Sequence, residues 1–178
     1  DTAPHFIKFF RYFKECKNDE VADFISLIKG KAFILYTTAE QSQVFRGKAE
    51  DLYLPTADLR AWFNSKPDTK FVMLDKYHDM VDQEDRGRLE DFLLRLGTRT
   101  TPLVLSRDTA REALVGQNLT TRGSCHKYTE RYLDGCEQII ANVNEAKSLL
   151  LWRILVNHMQ FDKLLGMHTW FYYTNKVE

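Results

Sequence analysis

The sequence predicts a mixed α+β fold that is helix-rich, with four or five short strands in a single compact domain. Several segments repeat apolar residues every three or four positions, which is typical of amphipathic helices. Short runs of β-branched and aromatic residues between them are typical of strands. The chain has 178 residues, 44% of them hydrophobic and 13% aromatic, which is enough to build one sizeable core.

The first part of the chain predicts two helices followed by two strands. Residues 5–16 place phenylalanines on one face at helical spacing. A second helix begins at Asn18 or Asp19, either of which can cap it, and ends at Gly30. Residues 32–38 and 51–54 have strand composition, with residues 46–48 as the connection between them. The aromatic face of the first helix consists of Phe6, Phe9, Phe10 and Phe13.

The middle of the chain alternates short helices with short strands. Thr56 supplies a capping hydroxyl for a helix that buries Leu59 and Trp62. Residues 70–75 form a third strand candidate, and a helix over 82–96 stops at Gly97. Residues 101–105 form a fourth candidate, with its proline near the start, where a missing N–H is tolerated.

The last part begins with the most loop-like stretch, residues 106–131, in which glycine, asparagine, serine and threonine accumulate. A helix follows over 134–143, and Asn144 then caps a strongly apolar helix. Residues 169–174 predict a terminal strand. We therefore expect one domain over 1–178, with a subdivision into a 1–105 α/β part, a 106–131 flexible basic stretch and a 132–178 helical part.

Composition narrows the function classes. The 25 basic and 25 acidic residues give a formal net charge of +0, so no polyelectrolyte signature indicates nucleic acid or membrane as a partner. No run approaches the roughly 20 apolar residues that span a bilayer. Cys16, Cys125 and Cys136 have no repeated spacing, which favours reduced thiols and a cytoplasmic location. The first and last residues suggest a domain excised from a longer polypeptide.

No complete catalytic, cofactor or metal motif is present, so we predict no catalytic residue, no cofactor and no metal. The chain has neither a Walker-type phosphate loop nor the glycine triplet of a dinucleotide fold. A zinc site would need ligands paired two to four residues apart, and the available residues lack such pairs. Those residues are Cys125, His126, Cys136, His158 and His168.

One cluster of acidic residues supports an alternative, a small metal-dependent hydrolase or nuclease. Grouped carboxylates with a histidine can hold a divalent cation. The same carboxylates also suit the positive N-terminus of the helix that follows, which is the favoured interpretation. The cluster comprises Asp75, Asp79, Asp82, Glu84 and Asp85, together with Tyr77 and His78.

A basic stretch supports a second alternative, a nucleic-acid-binding accessory domain. Between residues 95 and 131, seven basic residues oppose three acidic ones, which leaves a net charge of +4. Such a stretch can contact phosphates, although a solvated loop or an intrachain partner is favoured over nucleic acid. The candidate phosphate contacts are Arg99, Arg107, Arg111, Arg122, Lys127 and Arg131.

Aromatic residues concentrate near both ends of the chain. Most of them are expected in the core, and the remainder could form an exposed patch that packs on other protein segments. The candidate interaction aromatics are Phe9, Phe13, Trp170 and Tyr172.

The order of these segments resembles an internal region of very large bacterial proteins that begin with a GHKL-type ATPase domain and are similar to sacsin and NO VEIN. The resemblance covers most of the chain. It is carried by the aromatic first helix, 32–34, 47–55, 71–75 with Tyr77, 89–97 with Pro102, Asp134-Gly135, 147–152 and 170–173.

The resemblance implies a middle segment downstream of the ATPase domain, in a machine of chaperone-like or defence-like character. The family's ATP site does not carry over, because its Asp-x-Gly-x-Gly strand has no counterpart. Asp134-Gly135-Cys136 lacks the second glycine. We therefore expect a non-catalytic structural or interaction module, with neighbouring domains of the full-length chain and a protein client as its partners.

Overall fold

The computed structural model describes residues 2–38, 43–109, 128–141 and 143–157. These ranges contain seven α-helices and five short strands, which confirms the helix-rich α+β class. The chain divides into two compact units, Asp1–Thr101 and a second one that begins at Pro102. The finer subdivision at residues 105 and 131 stays a prediction.

The described part of the first unit has five α-helices and three strands. The helices are α1 (Ala3–Glu15), α2 (Asn18–Ile28), α3 (Ala57–Trp62), α4 (Leu74–His78) and α5 (Arg86–Leu96). The strands are β1 (Ile34–Thr38), β2 (Phe45–Gly47) and β3 (Lys70–Val72).

The three strands form an antiparallel sheet in the order β2-β1-β3. Tyr36 marks the register, because it pairs with Phe45 on one side and with Val72 on the other. Beyond β3, Tyr53 makes single parallel bridges to Phe71 and to Arg99. The sheet is therefore extended at this edge by isolated bridges instead of a further strand.

This arrangement corrects the predicted strand over 51–54 and the predicted connection over 46–48. Ala49–Asp51 is a turn of 3-10 helix, whereas Phe45–Gly47 is β2. A Cβ at Gly47 would lie 3.0 Å from two ring carbons of Tyr36. Glycine is needed here because the strand approaches a ring on its neighbour, and not because the chain turns.

The core of the first unit is aromatic. Phe6 of α1 is fully buried, and its ring centroid lies 4.4 Å from that of Tyr77 and 5.5 Å from that of Phe92. Leu35 in β1 donates its backbone N–H to the Tyr77 hydroxyl at 2.7 Å. Tyr77 therefore joins α1, α4 and β1 at one point.

The helix ends follow the predicted signals in several places. The Thr56 hydroxyl accepts a hydrogen bond from the backbone N–H of Leu59 at 3.3 Å. Gly97 has a φ of 108°, and the N–H of Thr98 reaches the carbonyl of Leu93 at 3.1 Å. These bonds are a side-chain N-cap and a left-handed C-terminal stop.

Two helix starts differ from the prediction. The cap of α2 is Lys17, whose backbone N–H lies 3.5 Å from a Glu20 carboxylate oxygen. The helix predicted over 82–96 opens instead with a 3-10 turn over Gln83–Asp85, and α5 begins at Arg86.

The described residues of the second unit form a hairpin and two helices. The strands β4 (Val104–Thr109) and β5 (Tyr128–Leu133) pair antiparallel, and α6 (Cys136–Ile140) and α7 (Glu145–Asn157) follow. The predicted loop over 106–131 is thus wrong at both of its ends, which are strands. The Asn144 side chain accepts from the Lys147 N–H at 2.9 Å, which confirms the predicted cap of α7. The predicted strand over 169–174 lies outside the described residues.

Replacing Tyr77 by phenylalanine should lower the free energy of unfolding by about 1–3 kcal/mol, because the buried Leu35 N–H loses its acceptor. Urea unfolding measures this loss. Tyr12→Phe is the matched control, since Tyr12 is more than half exposed. Equal stability of the Tyr77→Phe variant and the parent chain would contradict the assigned role of the hydroxyl.

The same variant should alter the alkaline stability. Burial raises the pKa of Tyr77 to about 12 from an ordinary value of 10.0, although the Leu35 N–H partly opposes this rise. The unfolded chain loses the phenol proton first, so this stability is complete below pH 10 and is lost as the pH rises toward 12. Tyr77→Phe should show a smaller decrease in unfolding free energy between these pH values.

Two glycines of the first unit should respond in opposite directions to alanine. Gly97→Ala forces a φ of 108° on a residue with a Cβ and should destabilise by about 1 kcal/mol. Gly87 lies in α5, and apart from its chain neighbours and the backbone of its own helix no atom lies within 4 Å of an added Cβ, so Gly87→Ala should stabilise by about 0.5–1 kcal/mol. Thermal unfolding measures the stability of both variants. A Gly97→Ala variant as stable as the parent chain would contradict the left-handed stop assigned to Gly97.

Candidate interaction surface

Helix α1 carries apolar side chains on two faces, one buried in the core and the other exposed. Pro4 lies in the first turn, where its fixed φ suits a helix start. Ala3, Phe6, Ile7 and Phe10 point into the core and are buried. Phe9 and Tyr12 lie outside this stripe and remain 36% and 55% exposed.

Helix α2 repeats this arrangement. Ile28 is buried, and Phe24 and Ile25 pack partly against the core. Leu27 lies on the outer side and is 73% exposed. Phe24 and Leu27 are three residues apart, so they share a face of the helix.

Ring contacts join the two outer faces into one patch. The Phe24 ring centroid lies 4.8 Å from that of Tyr12 and 6.4 Å from that of Phe9. These distances are within the range of interacting aromatic pairs. We call the patch formed by Phe9, Tyr12, Phe24 and Leu27 the aromatic surface.

Phe13, the other predicted interaction aromatic of α1, lies closer to the core. Its ring stacks on Phe92 with centroids 4.8 Å apart. The Arg95 guanidinium lies 5.8 Å from the Phe13 centroid, and its Nε donates to Asp91 at 2.8 Å. The Phe13 ring therefore contacts the guanidinium of Arg95, which is paired with Asp91.

The charges beside the aromatic surface differ in sign between the two helices. In α1, Lys8 and Arg11 are exposed, whereas α2 has acidic residues and no basic one. Lys8 precedes Phe9 directly, and Asp23 precedes Phe24 directly. The surface thus has a basic border on α1 and an acidic border on α2.

The predicted carboxylate cluster lies beside α1. Asp85 forms an ion pair with Lys14, and Asp79 and Asp82 line the same cleft of about 460 Å³ with Arg11. His78 Nε2 lies 3.3 Å from a carboxylate oxygen of Glu90 instead of facing these acids. Among the described residues, no three His, Cys, Asp or Glu side chains are close enough to hold a metal ion.

The predicted basic contacts are only partly within the described residues. Arg99 exchanges backbone hydrogen bonds with Leu52 and Leu54 at 2.9 Å, and its guanidinium lies 5.8 Å from the Tyr53 ring centroid. Arg107 and Arg131 belong to the β4–β5 hairpin through their backbones. The residues outside the described ranges are Arg111, Arg122, Lys127, Trp170 and Tyr172.

Cys16 and Cys136 are free thiols. Burial raises the pKa of Cys136 to about 11, with a smaller contribution from the neighbouring Glu137 carboxylate. A buried thiol with a raised pKa is a poor nucleophile and a poor metal ligand. The remaining residues of the zinc hypothesis, Cys125, His126, His158 and His168, lie outside the described residues.

The second unit also exposes an apolar stripe. Leu150 and Ile154 of α7 are buried, whereas Leu149, Trp152 and Val156 are each more than half exposed. The three exposed residues follow the i, i+3, i+7 spacing of a single helix face.

Comparison with known proteins gives no relative. No protein-family model, no curated protein and no solved structure matches the chain. None of the helices in the described ranges has the length and apolar content to cross a membrane.

The aromatic surface should be dispensable for folding. Tyr12→Ser, at an exposed position, should change the free energy of unfolding by less than about 1 kcal/mol. Phe6→Ala, in the buried stripe of α1, should lower the free energy of unfolding by about 3–5 kcal/mol. Chemical denaturation compares the two variants. A loss from Tyr12→Ser as large as that from Phe6→Ala would place Tyr12 in the core and contradict its assignment to the surface.

Proposed function

We propose that this chain is a non-catalytic structural and interaction module of a large multidomain protein that contains a GHKL-type ATPase domain. The observation that carries the proposal is the aromatic surface on α1 and α2. Phe9, Tyr12 and Leu27 remain exposed although the core beneath α1 is closed by fully buried rings. Contiguous exposed apolar residues of this kind mark protein contact sites.

The chemistry of the described residues supports an interaction role over a catalytic one. The buried Tyr77 hydroxyl is engaged by a backbone N–H, and the Asp85 carboxylate by Lys14. Both groups are engaged in contacts within the chain, whereas a general acid or base must be within hydrogen-bond reach of a substrate proton. The exposed stripe of α7 gives the second unit an apolar face as well.

In the full-length protein, the module would follow the ATPase domain and either transmit its conformational change or dock a client. This assignment rests on the sequence resemblance to sacsin-like and NO VEIN-like bacterial proteins. The proposed location is the cytoplasm, which fits the free thiols of Cys16 and Cys136 because reducing compartments keep cysteines unpaired.

The proposal predicts that the chain binds no nucleotide by itself, because the family's ATP-binding residues have no counterpart in it. Isothermal titration calorimetry with ATP and Mg²⁺ should give only the heat of dilution. A known nucleotide-binding protein at the same concentrations provides the positive control. Tight ATP binding by the chain would overturn the proposed function. An upstream segment of the same gene that lacks GHKL motifs would overturn the assignment to that family.

A further inference from the structure

The aromatic surface has a repeated pattern of charge and apolar residues. In α1 the pattern is Lys8-Phe9-x-x-Tyr12, and in α2 it is Asp23-Phe24-x-x-Leu27. Each helix thus presents a charge, then an aromatic ring, then a second apolar side chain at the same spacing. The two helices differ in the sign of the charge.

The charges at the two borders are available for an external partner. Lys8 and Asp23 are both exposed, and no described side chain forms an ion pair with either of them. Other charges of the unit are engaged, such as Lys14 with Asp85 and Arg95 with Asp91. A partner for the aromatic surface therefore needs an acidic group near Lys8 and a basic group near Asp23.

We propose that the partner is a second copy of this chain. The aromatic surfaces of the two copies pack on each other and are related by a two-fold axis. In a two-fold contact, if residue i of the first copy contacts residue j of the second, then residue j of the first copy contacts residue i of the second. When α1 lies over α2 of the second copy, Lys8 approaches Asp23 of that copy, and this pair occurs twice. The alternative of α1 over α1 would bring basic borders together.

The apolar residues of the surface match in the same arrangement. Phe9 and Tyr12 of one copy cover Phe24 and Leu27 of the other, so the exposed parts of these side chains leave water together. The helices have 13 and 11 residues, which limits the contact to the small, transient class below about 1,200 Å² in total. We therefore expect a reversible dimer whose population depends on concentration and on salt.

Sedimentation velocity of the full chain at loading concentrations of about 5 to 500 µM, which bracket a Kd of about 50 µM, tests the dimer. The sedimentation coefficient should rise from that of a monomer to that of a dimer. Tyr12→Ser combined with Leu27→Ser should raise Kd at least about tenfold, because both apolar contacts are lost twice. Leu94→Ser, at an exposed position of α5, should leave Kd unchanged.

Charge exchange tests the arrangement of the two copies. Lys8→Glu alone and Asp23→Lys alone should each raise Kd about tenfold, because like charges then meet at both borders. A mixture of these two variants should form a heterodimer as readily as the parent chain forms its dimer, since opposite charges are again paired. Arg88→Glu on α5 is the matched charge control and should have no effect.

This inference rests on the proposed function, and the outcomes separate the two. A chain that stays monomeric up to the highest concentration, or a dimer that the Tyr12/Leu27 variant leaves intact, would overturn the second-copy assignment. Failure of the mixed variants to recover the heterodimer would overturn the pairing of α1 with α2. Each of these results leaves an interaction module with a different partner, whereas tight ATP binding would remove the proposed function itself.

Discussion

The hydrogen bond from the Leu35 N–H to the Tyr77 hydroxyl fixes the position of α4 relative to the sheet. The hydroxyl accepts this bond inside the buried core, and the ring of Tyr77 packs on Phe6 of α1. A buried N–H without an acceptor is costly, so the sheet and the helices are held in one arrangement. The inner face of α1 is buried by these core contacts, and its outer face remains exposed.

This division of α1 separates the residues that close the core from those of the aromatic surface. Core rings such as Phe6 and Phe92 contact one another directly and do not need Tyr12 or Leu27 for closure. Side chains at the surface can therefore change without loss of the fold. In the proposed interaction role, a few exposed residues would select the partner, because a small number of buried anchors contributes most of the binding free energy at protein interfaces.

The sequence predicted the fold class and the main helices because their signals are local. Examples are the buried Phe6 and Phe10 of α1, the Thr56 and Asn144 caps and the Gly97 stop, all of which are present. It missed β2 and β5, since three residues are too few to show a strand period and the 106–131 composition resembles a loop. It named Phe9 but not Tyr12 or Leu27, because only the tertiary contacts of Phe24 show which side of each helix is left uncovered.

The formal net charge of +0 conceals an opposite bias on neighbouring helices. Helix α1 carries Lys8, Arg11 and Lys14 against Glu15, and α2 carries Asp19, Glu20 and Asp23 with no basic residue. An aromatic surface without charged borders would adhere to many apolar partners and favour aggregation. Borders of opposite sign impose an orientation, because a misplaced partner meets like charge or an unpaired one. The distribution of charge over α1 and α2, and not its sum over the chain, therefore determines the specificity that this surface can have.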